Sequence, residues 1–205
     1  VTKGSVTGGS TDDDQTNAIA SLELAGAHYQ ITPKVNTSAA TSTDNGLGEH
    51  SAAVVDWVSP QKNKNQILIS GSVGTPTQST AVAIGLNQVW DYVVASEGSD
   101  WSSGMLAAMF AGLLAYAETS DKAPNLADYG RKRSTDVIKA PAPFAKTDWP
   151  TATEIKTMLN NGVTPIAFTS TGKPYIPWYV TTKSITNSVT DYRGRPGHLP
   201  SVMFY

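Results

Sequence analysis

Residues 151–184, TATEIKTMLNNGVTPIAFTSTGKPYIPWYVTTKS, carry the clearest signals of secondary structure in the chain. Thr151 and Glu154 have the spacing of a capping box, in which each side chain accepts a hydrogen bond from the backbone N–H of the other residue. An amphipathic helix is therefore predicted to begin at this point. Asn161 and Gly162 supply the left-handed residue that commonly ends a helix, so the chain is expected to turn there into an extended segment.

The second half of this stretch is predicted to form a two-stranded hairpin. Residues 163–169 and 175–185 read as strands because they are rich in aromatic and β-branched residues, and the segment between them contains the glycine that a tight turn needs. Prolines remove backbone donors along both strands, which is typical of strands at the edge of a sheet. These prolines are Pro165, Pro174 and Pro177.

The same stretch resembles the C-terminal part of tail sheath proteins from Mu-like contractile-tailed bacteriophages. The matching residues are Glu154, Met158, Leu159, Asn161, Gly162, Val163, Pro165, Gly172, Ile176, Val180, Thr181 and Thr182. The resemblance continues upstream in Gly8 and Gly9, which precede a predicted helix, and in the alanine-rich segment 102–116. The sequence departs from the family pattern at Pro177 and Trp178, where a basic residue is expected.

Composition limits the possible classes of protein. A chain of 205 residues suits one domain, or one domain with an appendage. Fifteen basic and seventeen acidic residues give a net charge of -2, so neither nucleic acid nor an anionic membrane is indicated as the main partner. Charged residues make up only 16% of the chain, as in proteins whose surfaces are covered by neighbours. The absence of cysteine excludes disulfides, thiolate metal sites and thiol nucleophiles.

Helices and strands are predicted to alternate along the rest of the chain. The predicted helices are 11–24, 49–58, a helix from about residue 75, and 103–119, and the predicted strands are 28–35, 66–70 and 89–95. This order indicates an α/β domain with a layered, largely parallel sheet flanked by helices and an antiparallel C-terminal hairpin. Segment 103–119 is apolar on nearly every side and is therefore expected to be a central, buried helix. We divide the chain into an α/β core region, residues 1–146, and a helix–hairpin region on the same domain, residues 147–205.

One enzymatic alternative is a serine hydrolase that uses Ser72. This serine follows a predicted strand, but S-G-S-V-G has a serine where the first glycine of a nucleophile elbow belongs. His50 or His198 would have to act as the base, and neither lies in a context that places it beside Ser72. The same turn lacks the lysine that a phosphate-binding loop requires.

A second alternative is a flavodoxin-like module that binds a ligand or another protein at the strand ends. A metal site at Asp12, Asp13 and Asp14 is not expected, because calcium loops place their ligands at alternate positions. These aspartates suit the positive end of a helix dipole instead. No cofactor or metal is therefore expected.

Two groups of residues are candidates for an interface. Basic side chains are nominated for a surface that faces a partner, and two aromatic residues of the hairpin for contacts between subunits. The basic residues are Arg131, Lys132, Arg133, Arg193 and Arg195, and the aromatic residues are Tyr175 and Trp178.

The resemblance implies a structural subunit of a contractile tail sheath and no enzyme. Sheath subunits polymerise as stacked rings around the tail tube, and contraction drives the tube through the host envelope. The implied partners are copies of the subunit, the tail tube protein, and the baseplate and tail terminator proteins, with no nucleic acid and no membrane. The implied location is the virion, after assembly in the host cytoplasm. Terminal arms in this family add strands to neighbouring sheets. This chain is expected to be a fragment that stops before the C-terminal arm and to be monomeric by itself.

Overall fold

A computed structural model of the chain describes residues 12–25, 27–32, 46–64, 66–119, 145–178, 180–183, 185–186 and 189–190. Its helices are α1 (Asp12–Ala25), α2 (Leu47–Trp57), α3 (Pro76–Leu86), α4 (Ser103–Thr119) and α5 (Ala152–Asn160), with one turn of 3-10 helix at Lys146–Asp148. Its strands are β1 (Tyr29–Thr32), β2 (Ile67–Ser72), β3 (Asp91–Ala95), β4 (Val163–Pro165), β5 (Ala167–Phe168), β6 (Pro174–Tyr175), β7 (Ile185–Thr186) and β8 (Val189–Thr190).

A four-stranded parallel sheet of order β1-β2-β3-β4 forms the centre of the molecule. Ile67 of β2 lies opposite Tyr29 of β1, and Val93 of β3 lies opposite Val163 of β4. Every residue of β2 and β3 is buried, as expected for a parallel sheet covered on both faces. The predicted α/β class, with its parallel sheet and separate antiparallel hairpin, is confirmed.

Helices cover the two faces of this sheet. α4 packs on one face, where the apolar contacts involve Ile67, Ile69, Tyr92, Val94, Leu106, Phe110 and Leu114. α2, α3 and α5 pack on the other face, where the core contains Leu47, Val54, Trp57, Leu68, Val82, Val93, Met158 and Val163. α1 contacts α2 and adds Ile19 and Leu22 to the edge of this second core. The result is a three-layer arrangement whose helices fix the ends of the strands.

The helix starts predicted from the sequence are present in the structure. Thr75 caps α3 with Gln78 as its capping-box partner, and Pro76 follows at the first helical position. Thr151 and Glu154 form the second capping box, at the start of α5. Such caps each stabilise a helix by about 1 kcal/mol, so both helices begin where their side chains satisfy the free backbone donors. The predicted start and end of α1, at Thr11 and Gly26, lie outside the described residues.

Gly71 permits the close approach of α4 to the middle of the sheet. A Cβ atom at this position of β2 would lie 2.0 Å from the backbone oxygen of Ser103, the first residue of α4. Real Cβ atoms essentially never come within 3.0 Å of a backbone oxygen. The first turn of α4 therefore rests directly on the backbone of β2, a contact that only glycine allows.

The prediction of two long hairpin strands is wrong. Segment 163–169 is divided at Ile166, which is fully buried and whose N–H donates to the backbone oxygen of Ala95 at 2.8 Å, so β4 belongs to the main sheet and β5 to the hairpin. Among the described residues of segment 175–185, only Tyr175 pairs with β5, as part of Pro174–Tyr175, and Ile185 belongs to β7. Pro177 has no N–H to continue a ladder, and Ile176 turns into the core instead.

The expectation that α4 is the central, buried helix is not met within the described residues. Met105 is 51% exposed, and Ala108 and Gly112 are exposed on the same outer side. α4 therefore flanks the sheet as an outer layer. None of the helices in the described part of the chain is long and apolar enough to cross a membrane.

Candidate assembly interface

The C-terminal hairpin starts from the edge of the main sheet. β4 is the last strand of that sheet within the described residues, in agreement with the proline content of its sequence. Ala167 of β5 lies opposite Tyr175 of β6, and the Thr169 N–H donates to the Lys173 carbonyl at 2.9 Å to close the turn. Gly172 has a φ of 79°, which glycine adopts without steric cost.

Tyr175 and Trp178 both lie in this hairpin region and are partly buried. Ile176, between them, is fully buried in the core beneath α4. The base of the hairpin is held by Phe168, whose ring centroid lies 5.6 Å from that of Trp149. The hairpin is therefore fixed to the domain, and its two nominated aromatic residues lie on either side of a core anchor. Their role at an interface stays a prediction.

The basic candidates cannot be located. Arg131, Lys132, Arg133, Arg193 and Arg195 all lie outside the described residues. Of the nominated interface, the structure therefore describes only the two aromatic residues.

Residues 180–182, here called the clasp, fasten the chain after the hairpin to the sheet through threonine hydroxyls. The Thr164 hydroxyl accepts from the Val180 N–H and donates to the Val180 carbonyl, both at 3.0 Å. The Thr182 hydroxyl accepts from the Gln88 N–H at 2.9 Å and donates to the Gln88 carbonyl at 3.0 Å. Each hydroxyl thus takes the place of a paired peptide group, which is how an irregular segment satisfies its buried polar atoms.

The clasp also provides a hydrogen-bond partner for β3 at the amino end of that strand, which β4 does not reach. The Thr182 N–H donates to the Asp91 carbonyl at 2.8 Å, whereas β4 pairs with β3 only from Val93 onward. Gly162 has a φ of 81°, and a Cβ atom there would lie 2.8 Å from the Thr182 Cα. This arrangement could not be predicted from the sequence, because Val180, Thr181 and Thr182 have the composition of a strand and the Gln88–Thr182 contact spans 94 positions.

The structure does not assemble a serine hydrolase site. Ser72 is only 3% exposed, and its hydroxyl lies 2.8 Å from the Ser79 hydroxyl and accepts from the Gly74 N–H. The His50 ring bonds instead to Thr32 and Gln30, on β1. Within the part of the chain that the structure describes, Ser72 thus has neither the solvent access nor the base that a nucleophile needs. His198 lies outside the described residues.

A groove of about 560 Å³ opens at the carboxyl ends of the central strands, between α3 and α5. It is lined by Thr75, Pro76, Thr77, Thr80, Glu97, Glu154 and Thr157. Burial raises the pKa of Glu97, and the carboxylates of Glu154 and Asp148 raise it further. Phosphate-bearing ligands are repelled by such a lining, so this groove does not favour the nucleotide-binding or flavin-binding forms of the flavodoxin-like alternative. No group of three or more histidine or acidic side chains suited to a metal is found in the described residues.

Comparison with solved structures supports the fold, whereas comparison of sequences finds no match. No family profile matches the chain, and no curated protein is significantly similar to it. Among solved structures, the sheath tail protein from Desulfitobacterium hafniense matches with a TM-score of 0.61 and 14% sequence identity. The match covers 94% of this chain and 40% of that protein, so the chain spans about two fifths of the length of the sheath tail protein. The chain thus has a fold like that of part of a sheath tail protein.

Proposed function

We propose that this chain is the core part of a structural subunit of a contractile tail sheath, of the kind found in Mu-like phages. The observation that carries the proposal is the fold match, which covers 94% of the chain and involves a sheath tail protein. The resemblance of segment 151–182 to sheath proteins rests on sequence alone and is therefore independent support. In this role the subunit polymerises around the tail tube, and contraction of the sheath drives the tube through the host envelope.

The surface and the site chemistry support a structural role. A surface poor in charge suits a subunit that is covered by neighbours on several sides. The buried Ser72 and the acidic groove offer no nucleophile and no phosphate cradle. A sheath stores its energy in a metastable assembly and requires neither, so we propose that the protein is not an enzyme and acts without a cofactor.

The clasp and the hairpin suggest how subunits connect. Because hydrogen bonds from Thr164 and Thr182 hold the clasp, a chain that continues beyond it would leave from a fixed point on the sheet. An arm tethered at a fixed point reaches a neighbouring sheet with a smaller loss of conformational entropy than a free arm. We propose that Tyr175 and Trp178 contact the adjacent subunit.

We assign the remaining interfaces by charge. Arg131, Lys132, Arg133, Arg193 and Arg195 are proposed to face the tail tube protein. In the complete subunit, residues 1–146 form the core region and residues 147–205 form the helix–hairpin region that precedes the arm. The other proposed partners are copies of the subunit and the baseplate and tail terminator proteins, within the virion tail.

Sedimentation velocity distinguishes this proposal from a solitary binding module. The 205-residue chain is expected to sediment as a monomer at micromolar concentration, because we propose that strand addition to a neighbour is made by an arm outside residues 1–205. The complete protein is expected to form particles of many subunits, especially when the tail tube protein is present. A complete protein that stays monomeric at tens of micromolar with the tube protein added would contradict the proposal.

A further inference from the structure

A buried polar cluster lies between α2 and the sheet. Gln30 of β1 and Asp91 of β3 flank Leu68 of β2 in register, so all three residues face α2. The helix contributes His50 and Ser51, both buried, to the same region. A helix on a sheet is normally held by apolar contacts, whereas α2 is held here partly through two titratable side chains.

Asp91 is an acid whose neutral form the fold favours. Its side chain is fully buried, and Ser51 donates a short hydrogen bond to Oδ2. Its Oδ1 atom has no hydrogen-bond partner among the described residues. Burial raises the pKa of Asp91 to about 7, and the bond from Ser51 offsets only part of that rise. Ionisation of this buried side chain is unfavourable, because one hydrogen bond from a hydroxyl cannot replace the water that hydrates an exposed carboxylate.

His50 is a base that the fold also keeps neutral. Its Nε2 lies within a short hydrogen bond of the Gln30 Oε1, and its Nδ1 lies 2.8 Å from the Thr32 hydroxyl. Since a carbonyl oxygen only accepts, Nε2 carries the proton and Nδ1 accepts from Thr32. Both ring nitrogens are therefore satisfied in the uncharged ring, and burial lowers the pKa of His50 to about 4.

Other charged groups have little influence on this pair. β2, α3 and β4 carry no ionisable side chain, and neither do residues 180–182. The other acids of α2 are Glu49 and Asp56, of which Asp56 is exposed and pairs with Lys62 at 2.7 Å. Lys62 also pairs with Glu23 of α1, and Lys64 shares that carboxylate. The aromatic side chain of Tyr92 belongs to the opposite face of the sheet, beneath α4.

We propose that Asp91 and His50 form a proton-compensated pair, which keeps α2 attached to the sheet with nearly equal strength from mildly acidic to neutral pH. When α2 is released, both side chains regain their ordinary ionisation in water, as a carboxylate and an imidazolium. Release thus removes a proton from Asp91 and adds one to His50, so the net uptake of protons is close to zero. The inference concerns this helix alone and does not depend on a role in a sheath.

The signs of the two contributions follow from linkage. The pKa of Asp91 is higher in the closed state than its ordinary value of 3.8, so its contribution to the attachment of α2 is lost as the pH rises from about 4 to 7. The pKa of His50 is lower in the closed state than its ordinary value of 6.5, so its contribution is gained as the pH rises from about 4 to 6.5. Across this range the two slopes have opposite signs and nearly cancel.

Amide hydrogen exchange of α2 tests the pair directly. After correction for intrinsic exchange, protection of the α2 amides in the wild-type chain is expected to change only about twofold between pH 5 and pH 7. In Asp91→Asn, protection should rise about 20-fold over the same range, because only the histidine remains. In His50→Gln it should fall about 50-fold, because only the acid remains. The double variant should again be nearly independent of pH.

Ser79→Ala is the matched control. Ser79 is buried on α3, on the same side of the sheet, and its hydroxyl bonds to Ser72, away from the pair. Loss of the Ser79 hydroxyl should lower the protection of the α2 amides at every pH and leave that protection nearly independent of pH. The proposal would be overturned if protection of the α2 amides did not depend on pH in Asp91→Asn or in His50→Gln. It would also be overturned if protection changed with pH in the same direction in both variants.

A titration by NMR tests the pair even if a variant fails to fold. In the wild-type chain, the carboxyl carbon of Asp91 should titrate with a midpoint above pH 6, and the ring of His50 with a midpoint below pH 5. A midpoint near pH 4 for Asp91, or near pH 6.5 for His50, would show that the fold does not hold both groups neutral and would refute the compensation.

Discussion

Replacement of Gly71 by alanine is expected to lower the free energy of unfolding by more than about 4 kcal/mol, or to prevent folding. The new Cβ atom would lie 2.0 Å from the backbone oxygen of Ser103, far inside the closest distance that such atoms adopt. Neither side can give way easily, because β2 is a central strand and Ser103 begins the helix that covers one face of the sheet. The substitution must therefore separate α4 from β2, and the core between them would lose its close packing.

Urea unfolding followed by circular dichroism measures this effect. The matched control is Gly112→Ala on α4, where a Cβ atom would meet nothing within 4 Å. Because glycine weakens a helix interior, this control should be more stable than the wild-type chain by about 0.5–1 kcal/mol. If Gly71→Ala were within 1 kcal/mol of the wild-type chain, the close contact of α4 with β2 would be wrong.

Replacement of Gly162 by alanine is expected to lower the free energy of unfolding by about 2–3 kcal/mol, equivalent to a fall in Tm of roughly 5–10 °C for a domain of this size. Two effects add. The φ of 81° is unfavourable for a residue with a side chain, and the Cβ atom would lie 2.8 Å from both the Cα and the carbonyl oxygen of Thr182. The second effect pushes the clasp away from the sheet.

Gly162→Asn separates these two effects. Asparagine tolerates positive φ better than alanine does, but it carries the same Cβ atom. If the contact with Thr182 dominates, thermal melting should show that the asparagine variant is nearly as unstable as the alanine variant. Recovery of wild-type stability in Gly162→Asn would mean that the clasp does not lie against this glycine.

The sequence predicts those parts of the fold that depend on neighbours along the chain. The capping box at Thr151 fixes the start of α5 over three residues, and the glycine after α5 fixes its end. The alternation of apolar strands with helices leads to the parallel sheet. These features are local, so they can be predicted without knowledge of the tertiary contacts.

The features that the sequence did not reveal depend on distant partners. The hydroxyls of Thr164 and Thr182 hold the clasp in place of strand pairing. Their hydrogen-bond partners come close to them only in the folded sheet. His50 and Asp91 are ordinary polar residues until the fold buries them between α2 and the sheet. The same limit applies to the interface, since the contacts proposed for Tyr175 and Trp178 would be made with a second subunit.

Negative-stain electron microscopy of the complete protein tests the central proposal most directly. The complete protein, produced with its tail tube protein, should form hollow striated tubes, and the 205-residue chain under the same conditions should form none. This result would identify a sheath subunit and place assembly outside the core. A complete protein that is folded and yet remains a dispersed small particle beside assembled tail tubes would contradict the sheath proposal, while the fold and the predictions for Gly71 and Gly162 would stand.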